Sequence, residues 1–392
     1  MDLTLIALIA VIALALLFDF TNGFHDAANS VSTVVATRAM PAKWAVWFSA
    51  FFNFAAVFVI GTAVANTVAK TVKSDYTGIA VVFAALFAAI AWNYATWWFG
   101  MPSSSSHALI GGLVGAGLAA GGADAISWSS VQKTALAIVI SPLVAFAIAF
   151  GAMYLIGFIR KRTGASENAK PFKWLQIVSA AAVSFGHGAN DAQKTMGIIA
   201  ALLVGTGHLA VGDDGNIDVP LWVEFSAYGA IALGTVWGGW KIIETMGLKI
   251  TTLHASSGVA ANAGAVTAIF GATGLGVPIS TTHAAASSVA GAGVASGVGI
   301  NLKVVGEMVT AWIITVPSTV VVGFLAFKAT ALPGAWAWVV TGAAVLVAAG
   351  LIGWAMAHSI TAEDVEAEIP SEAELEEPVP LTPHLEGHGP AA

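Results

Sequence analysis

Long apolar runs, separated by short polar stretches, make up most of this chain. A helix needs about 20 residues to cross a bilayer. Runs of that order lie at 4–36, 44–68, 78–99, 104–122, 131–158, 174–206, 221–246, 251–272, 281–300, 304–328 and 334–357. The pattern therefore predicts eleven membrane crossings. Residues 1–18 lack the basic start of a signal peptide, so we interpret them as part of the first crossing.

The composition agrees with a membrane location. Of the 392 residues, 57% are hydrophobic and 9% are charged, whereas an ordinary soluble domain has about 25% charged residues. The chain has no cysteine, which excludes disulfides and thiolate metal sites. Because a lipid-exposed backbone must satisfy its own hydrogen bonds, we predict an all-α integral membrane protein folded as a polytopic helical bundle.

The formal net charge of −7 comes largely from the end of the chain, since nine of the 22 acidic residues lie after residue 360. The segment 358–392 combines acids and prolines with few bulky apolar residues. It cannot bury enough surface to fold alone. We predict a disordered acidic tail, with docking on a partner as the alternative.

Two pairs of motifs indicate an internal repeat. GFHDAAN at 23–29 aligns with GANDAQK at 188–194, and GMPSSSSHALIGGLVGAG at 100–117 aligns with GVPISTTHAAASSVAGAG at 276–293, where 8 of 18 positions are identical. Five crossings precede the second copy, and an odd-numbered unit must insert its copy upside down. We predict a first repeat, a basic loop, an inverted second repeat, a final helix and the tail, at 1–158, 159–173, 174–333, 334–357 and 358–392.

The basic loop predicts the orientation. Residues 160–173 contain five Lys or Arg residues, and cytoplasmic loops are enriched in these cations. Counting crossings outward from this loop places the N-terminus outside and the acidic tail in the cytoplasm. We expect a multi-pass protein of the cell (inner or plasma) membrane.

Two of the apolar segments carry acids near their centres. The runs 4–36 and 174–206 would each be about 50 Å long as straight helices, which exceeds a hydrocarbon core of about 30 Å. We predict that each helix is tilted or broken at its glycine-containing motif, where Asp26 and Asp191 lie. An ionisable residue at membrane depth is costly and usually functional.

Carboxylate and amide oxygens near these acids suit a small hard cation, and a carboxylate alone could carry a proton. The predicted cation- or proton-coupling residues are Asn22, His25, Asp26, Asn29, Asn190 and Asp191. The alternative for the second copy is structural, because Asp191 and Lys194 share a helix face and could neutralise each other. No resident metal site is predicted.

The repeated pattern G-x-P-x-S-[ST]-[ST]-H is typical of a helix start, where unpaired N–H groups and the helix dipole bind anions. Its hydroxyls could form two facing cradles, each on a half-helix hairpin. The candidate phosphate-binding residues are Ser103, Ser104, Ser105, Ser106, Ser280, Thr281, Thr282, Gln193 and Lys194. The alternative is that the hydroxyls only cap the helices. His107, His187 and His283 could titrate near neutral pH or simply pack.

Four motifs in order resemble the inorganic phosphate transporter (PiT) family: NGFHDAANSV at 22–31, AWNYATWWFGMPSSSSH at 91–107, FGHGANDAQK at 185–194 and GVPISTTH at 276–283. The resemblance covers about residues 4–357. It implies an inverted-repeat secondary carrier that takes up orthophosphate with sodium or protons. In bacterial members the cargo can be a neutral complex of phosphate with a divalent metal. It also implies cation binding at Asp26, Asn29, Asn190 and Asp191, and phosphate binding at the Ser/Thr runs.

One departure from the animal members concerns the coupling ion. Sodium-coupled animal members have Asn-Asp in both acidic motifs, whereas this chain has His25-Asp26 in the first. The motif is similar to that of the bacterial low-affinity, proton-driven branch. The resemblance therefore favours protons over sodium.

The predicted function is phosphate import by cation symport, with a proton as the coupling ion, through alternating access around a midplane site. Sodium coupling and a sulfate permease of the same fold are alternatives. A passive anion channel and an intramembrane hydrolase are less favoured, since hydrolysis needs one asymmetric nucleophile rather than two copies. We expect no cofactor beyond the co-transported ion, no nucleic acid, phosphate and lipid as partners, and allow for a homodimer.

Overall fold

The structure, a computed structural model, describes residues 3–371 and is almost entirely helical. The helices are α1 Leu3–Asp26, α2 Ala28–Ala36, α3 Ala42–Ala55, α4 Ala63–Ala69, α5 Ile79–Trp98, α6 Ser105–Gly121, α7 Trp128–Thr163, α8 Lys170–Gly205, α9 Leu221–Trp237, α10 Trp240–Glu244, α11 Ala255–Gly274, α12 Thr281–Ser296, α13 Leu302–Thr330, α14 Ala335–Ala357 and α15 Ala362–Glu368. Within the described residues there are isolated bridges but no named strand. The predicted all-α class is confirmed.

Within residues 3–371, six helical segments are long and apolar enough to cross a membrane, or seven if one bent pair counts as a single span. They are Thr4–Ala36, Ile79–Trp98, Ser105–Ala125, Trp128–Thr163, Leu302–Thr330 and Ala335–Ala357. Of the other predicted crossings, 44–68 and 221–246 are interrupted and 281–300 is short, whereas 174–206 and 251–272 lie in the continuous helices α8 and α11. The run predicted at 281–300 ends as a helix at Ser296, because Gly297 adopts a left-handed conformation with φ 85°.

The sequence predicted a tilt or a break at each acidic motif; the short interruption between α1 and α2 lies in the first motif, and the second motif has no interruption. α8 continues unbroken through the second acidic motif, and α1 passes into α2 at Ala27, which keeps helical φ and ψ angles. The clear breaks fall in two other predicted crossings. α3 and α4 form a pair bent by 88°, and α9 ends at Trp237, before Gly238, whose φ of 75° is accessible mainly to glycine. The acidic motifs therefore lie on helical backbone.

The two halves have the same order of elements. A long helix with an acidic motif (α1–α2 or α8) precedes an interrupted helix (α3–α4 or α9–α10), a helical hairpin (α5–α6 or α11–α12) and a long helix with an internal proline (α7 with Pro142, α13 with Pro317). The halves pack into each other: α1 lies on α9, α3 on α8, α6 on α13, and α12 on α7. The inverted orientation of the second half stays a prediction.

The start of the acidic tail is ordered, which corrects the prediction of disorder for that part. Thr361 caps α15 through a reciprocal pair of hydrogen bonds with Asp364. The Arg38 side chain donates to the carbonyls of Ile369 and Pro370, each at 2.9 Å, and Glu366 Oε1 accepts from the Ala42 N–H at 2.7 Å. A capping box, polar contacts at the start of α3, and the burial of Ala362, Val365 and Ile369 in the apolar core thus hold this segment. The rest of the predicted tail, 372–392, lies outside the described residues.

Candidate site between the two hairpin tips

The turns of the two helical hairpins meet inside the protein. Ser106 Oγ donates to the Ile279 carbonyl at 2.6 Å, which joins the tip of α5–α6 to the tip of α11–α12. α6 begins at Ser105 and α12 begins at Thr281, as the Pro-hydroxyl pattern predicts. The structure brings the predicted hydroxyls together, all of them buried: Ser103, Ser104, Ser105, Ser106, Ser280, Thr281 and Thr282.

Two of these hydroxyls cap the hairpin helices. Ser104 Oγ accepts from the His107 N–H at 3.2 Å, and Ser280 Oγ accepts from the His283 N–H at 3.1 Å. These are equivalent positions of the repeated motif. For Ser104 and Ser280 the capping alternative therefore describes the observed contacts.

Asp26 lies at the end of α1, next to both tips. Its Oδ1 is 2.7 Å from His25 Nδ1 and 3.5 Å from Ser105 Oγ, while its Oδ2 is 3.4 Å from Thr281 Oγ1. The carboxyl group is 2% exposed. Asp26 thus touches a hydroxyl at the start of each hairpin's second helix.

Asp191 lies on α8 across from Asp26 and has more partners. Lys194 Nζ donates to its Oδ1 at 2.6 Å, and its Oδ2 accepts from Asn22 Nδ2 at 3.3 Å and Thr281 Oγ1 at 3.2 Å. His187 Nε2 is 3.5 Å from the same oxygen. The predicted Asp191–Lys194 contact is present, but it is embedded in a larger network.

The Thr281 hydroxyl connects the two acids. It lies within hydrogen-bonding distance of both carboxylates, yet a hydroxyl has a single proton to donate. It can therefore satisfy one of the two acids at a time. The other carboxylate must find its compensation elsewhere in the site.

The arrangement has the donor set for a cation. Asp26, His187 and Asp191 each offer one ligand atom, and these atoms lie within 4.8 Å of one another. The buried amide oxygens of Asn22 and Asn29 have no hydrogen-bond partner among the described residues. Carboxylate and free amide oxygens suit a small hard cation, and two buried acids facing a single lysine leave a negative charge for it to balance.

Two residues brace the hairpin tips, and of these His25 also contacts the Asp26 carboxylate. Asn190 Nδ2 donates to Thr273 Oγ1 at 3.0 Å, and its Oδ1 accepts from the Ile279 N–H at 3.3 Å. His25, at the equivalent position of the first motif, places Nε2 3.1 Å from Thr96 Oγ1, which in turn contacts Ser103 Oγ at 2.8 Å. Each motif therefore anchors one hairpin tip through the residue before its aspartate.

Asn29 links α2 to the second tip. Its Nδ2 lies 3.3 Å from Thr281 Oγ1 and 3.2 Å from Thr282 Oγ1. The predicted ligand Gln193 is elsewhere, because its Oε1 accepts from the N–H groups of Val64 and Ala65 at 2.8 and 3.2 Å. Gln193 thus satisfies the start of α4 and does not face the hydroxyl cradle.

The other predicted histidines separate into two groups. His187 belongs to the carboxylate cluster. The His107 and His283 rings pack on each other with centroids 4.5 Å apart, and His283 also stacks on Trp312 at 3.9 Å. The observed contacts of this pair are ring packing behind the hydroxyl tips.

Sequence reasoning missed two residues near this site. Thr96 transmits the His25 contact to the first tip, and nothing in its apolar surroundings distinguishes it in the sequence. Asp19 is a fully buried acid of α1, seven residues before Asp26. An acid inside an apolar run was the signal that could have identified it.

Residues 22–323 match the phosphate transporter family. A protein of Rhizobium meliloti (strain 1021) named probable low-affinity inorganic phosphate transporter is 46% identical over 338 residues, covering 85% of this chain and 99% of that protein. One of the same name from Bacillus subtilis (strain 168) is 42% identical over 331 residues, covering 83% of this chain and 98% of that protein.

A solved structure described as the sodium-dependent phosphate transporter has a similar fold. It superposes with a TM-score of 0.72 at 26% sequence identity, covering 84% of this chain and all of that one. Its similarity extends over both halves of the helical bundle rather than over a single motif.

Proposed function

We propose that this chain, which belongs to the phosphate transporter family, imports inorganic phosphate together with a cation by alternating access. It is a transporter and not an enzyme, as the family and the names of its relatives indicate. One observation carries the proposal. Thr281 is the first residue of α12, and its hydroxyl lies within 3.4 Å of both buried carboxylates.

The charges of the site favour an order of binding. Phosphate is an anion, and the buried carboxylates of Asp26 and Asp191 would repel a phosphate bound at the hairpin tips beside them. A cation bound between them removes that repulsion and releases the Thr281 hydroxyl from its contact with the acids. Phosphate then binds beside the cation, at the starts of α6 and α12.

The helix starts supply the donors for phosphate. The first N–H groups of an α-helix have no partner within the helix and point along a positive dipole end. Ser105, Ser106, Thr281 and Thr282 add hydroxyls at these ends, and Lys194 has two further N–H donors beyond its bond to Asp191. Ser104 and Ser280 support the helix starts as caps.

For the coupling ion we propose a proton held by the His25–Asp26 pair, whose facing atoms are 2.7 Å apart. Such a contact can share one proton between an imidazole and a carboxylate. Sodium is the second candidate, supported by the cation-sized cluster of Asp26, His187 and Asp191 and by the sodium-dependent phosphate transporter of similar fold. A divalent metal could accompany phosphate as cargo.

Uptake of radiolabelled phosphate into proteoliposomes tests this proposal. Separate arms impose an inward proton or sodium gradient, add excess sulfate or Mg²⁺, and compare the wild type with Asp26→Asn, Asp191→Asn and the control Asp364→Asn on exposed α15. We expect proton-driven accumulation that resists sulfate, persists in the control and is lost in both site variants.

Different failures have different meanings. Uptake that follows only sodium would replace the proton, and uptake of sulfate without phosphate would refute the substrate. Phosphate that equilibrates but never accumulates above its electrochemical gradient would indicate a passive channel. Full activity of both site variants would remove the carboxylates from the coupling mechanism.

A further inference from the structure

A threonine from the opposite repeat holds the turn of each helical hairpin. Thr67 Oγ1 on α4 donates to the Gly276 carbonyl at 2.6 Å. Thr245 Oγ1, in the π-helical turn that follows α10, donates to the Gly100 carbonyl at 2.8 Å. Gly100 and Gly276 are the first residues of the aligned motifs GMPSSSSH and GVPISTTH. The two contacts are therefore equivalent, and each of them joins one half of the chain to the hairpin of the other half.

Each of these hydroxyls has a second acceptor in its own helix. Thr67 Oγ1 lies 3.3 Å from the Ala63 carbonyl, and Thr245 Oγ1 lies 3.0 Å from the Lys241 carbonyl, in both cases four residues earlier. A hydroxyl has one proton to donate, and the carbonyl four residues earlier is a common acceptor for a helical threonine. Either threonine can therefore release the hairpin turn and keep a hydrogen bond.

Both contacts lie at open cavities. Thr67 and Gly276 line a cavity of about 680 Å³, and Thr245 and Gly100 line a cavity of about 260 Å³. Water in such a cavity can donate to a glycine carbonyl that the threonine has released. Release of either turn would also extend its cavity toward the hairpin tips.

The two contacts lie toward opposite ends of the helical bundle. The π-helical turn with Thr245 packs on α2, and Thr37 at the end of α2 donates to Gln176, near the start of α8, at 2.8 Å. The start of α4, by contrast, donates to Gln193 in the later part of α8, and Ile217, in the loop after α8, lines the larger cavity. The joined hairpin tips lie between the two contacts.

We propose that Thr67 and Thr245 are positioning residues that close the phosphate site on its two sides, each by holding the hairpin turn of the other repeat. Loss of the Thr67 contact opens the site to the larger cavity, and loss of the Thr245 contact opens it to the smaller one. Alternating access then requires that one contact breaks while the other holds. The inference rests on the proposed phosphate transport and identifies the residues that control access to that site.

Thiol labelling tests the inference, because the chain has no cysteine of its own. The reporters are Ile279→Cys and Ser103→Cys, at aligned positions of the two motifs, where both native side chains are 0% exposed. The rate of modification by a charged methanethiosulfonate is measured on the detergent-purified full chain without phosphate. We expect Thr67→Val to accelerate labelling of the Ile279→Cys reporter by about fivefold, the scale of one lost hydrogen bond, and to leave the Ser103→Cys reporter unchanged. Thr245→Val should have the reverse effect.

Further variants separate a closing role from general loosening. Thr67→Ser and Thr245→Ser keep the hydroxyl and should label at the rates of the parent reporters. Thr67→Ala and Thr245→Ala should repeat the crossed pattern, so the test does not depend on how valine packs. The matched control is Thr267→Val on α11, where the hydroxyl donates to the Ala263 carbonyl four residues earlier at 2.8 Å. It should change neither reporter.

The outcomes separate this inference from the proposed function. Unchanged labelling in both valine variants would overturn the inference, and so would equal acceleration of both reporters by either variant, because the contacts would then be structural. Labelling needs no transport, and phosphate uptake by the wild type is measured on the same preparation. A crossed labelling pattern without phosphate uptake would refute the proposed substrate and support the two closing contacts.

Discussion

Replacing Lys194 with methionine tests whether the buried pair with Asp191 is structural or functional. Lys194 is 1% exposed and its ammonium group lies 2.6 Å from Asp191 Oδ1. Methionine keeps the apolar stem and removes the charge. Asp191 would then be a buried carboxylate supported by hydrogen bonds from Asn22 and Thr281 alone.

The expected cost follows from the loss of one partner. Breaking a buried ion pair by removing one member typically costs about 3–5 kcal/mol, whereas removing both members is often close to neutral. We therefore expect Lys194→Met to lower the free energy of unfolding by that amount. Adding Asp191→Asn should recover most of the loss, because the uncompensated charge disappears.

In the assay, the detergent-purified protein is unfolded in mixed micelles by increasing the fraction of a denaturing detergent. Unfolding is monitored by the intrinsic fluorescence of its 14 tryptophans. Lys43→Met is the matched control, since it breaks the exposed Lys43–Glu363 pair of 2.8 Å and should change stability little. Phosphate uptake is measured on all four proteins. The double variant should be stable and inactive.

Two results would refute this reasoning. If Lys194→Met is as stable as the wild type, Asp191 carries no uncompensated charge in the folded protein. If the stable double variant transports phosphate at the wild-type rate, the pair is structural and Asp191 has no part in coupling.

Three further predictions concern the supports of the site and the tail. Ser104→Ala should cost about 1 kcal/mol by removing the cap of α6, while Ser104→Thr should retain the cap, as thermal unfolding would show. Gly234→Ala should destabilise by about 1–3 kcal/mol, because a Cβ there overlaps the backbone of α1. A Cβ at Gly271 would lie in open space, so Gly271→Ala should not destabilise the protein. Thermal unfolding of both glycine variants would show the difference. Hydrogen bonds from Thr361 lower the pKa of Asp364 from its usual 3.8. The stability that this cap gives α15 should therefore be present above pH 3.8 and should be lost as the pH falls through the lower pKa of the folded state. Hydrogen exchange of the backbone amides of 362–368, measured as a function of pH, would show this loss. The Asp364→Asn variant should not show the pH-dependent loss.

The sequence predicted which motifs meet because a repeat carries its chemistry twice. Asp26 and Asp191 were identifiable as acids at the centres of apolar runs, and the Pro-hydroxyl pattern correctly predicted the starts of α6 and α12. The structure adds that the starts of α6 and α12 meet, because the two hairpin tips are in contact.

The division of roles among neighbouring side chains could not be predicted. Asn190 and Gln193 lie beside Asp191 in the sequence, yet one braces a tip and the other caps α4. Rotation along a helix sends adjacent residues to different neighbours, and the sequence does not name those neighbours. The same limit applies to the helix breaks, since α8 keeps helical geometry through its glycines because surrounding helices pack against it.

The start of the acidic tail is folded because of its tertiary contacts, although its own sequence favours helix only weakly. Residues 362–368 have no apolar face large enough to fold alone, but Arg38 donates to the carbonyls of Ile369 and Pro370, which follow them, and the N–H of Ala42 donates to Glu366. Composition describes what the segment can do in isolation. It does not describe the surface beside it.

The central claim is that phosphate moves with a cation bound at the two aspartates. The most direct measurement imposes an inward phosphate gradient alone on proteoliposomes and records the internal pH with a trapped dye, with internal sodium recorded in parallel. The account predicts that phosphate entry carries protons in and acidifies the lumen, and that Asp26→Asn abolishes this acidification. Phosphate entry at a normal rate with no movement of either cation would contradict it.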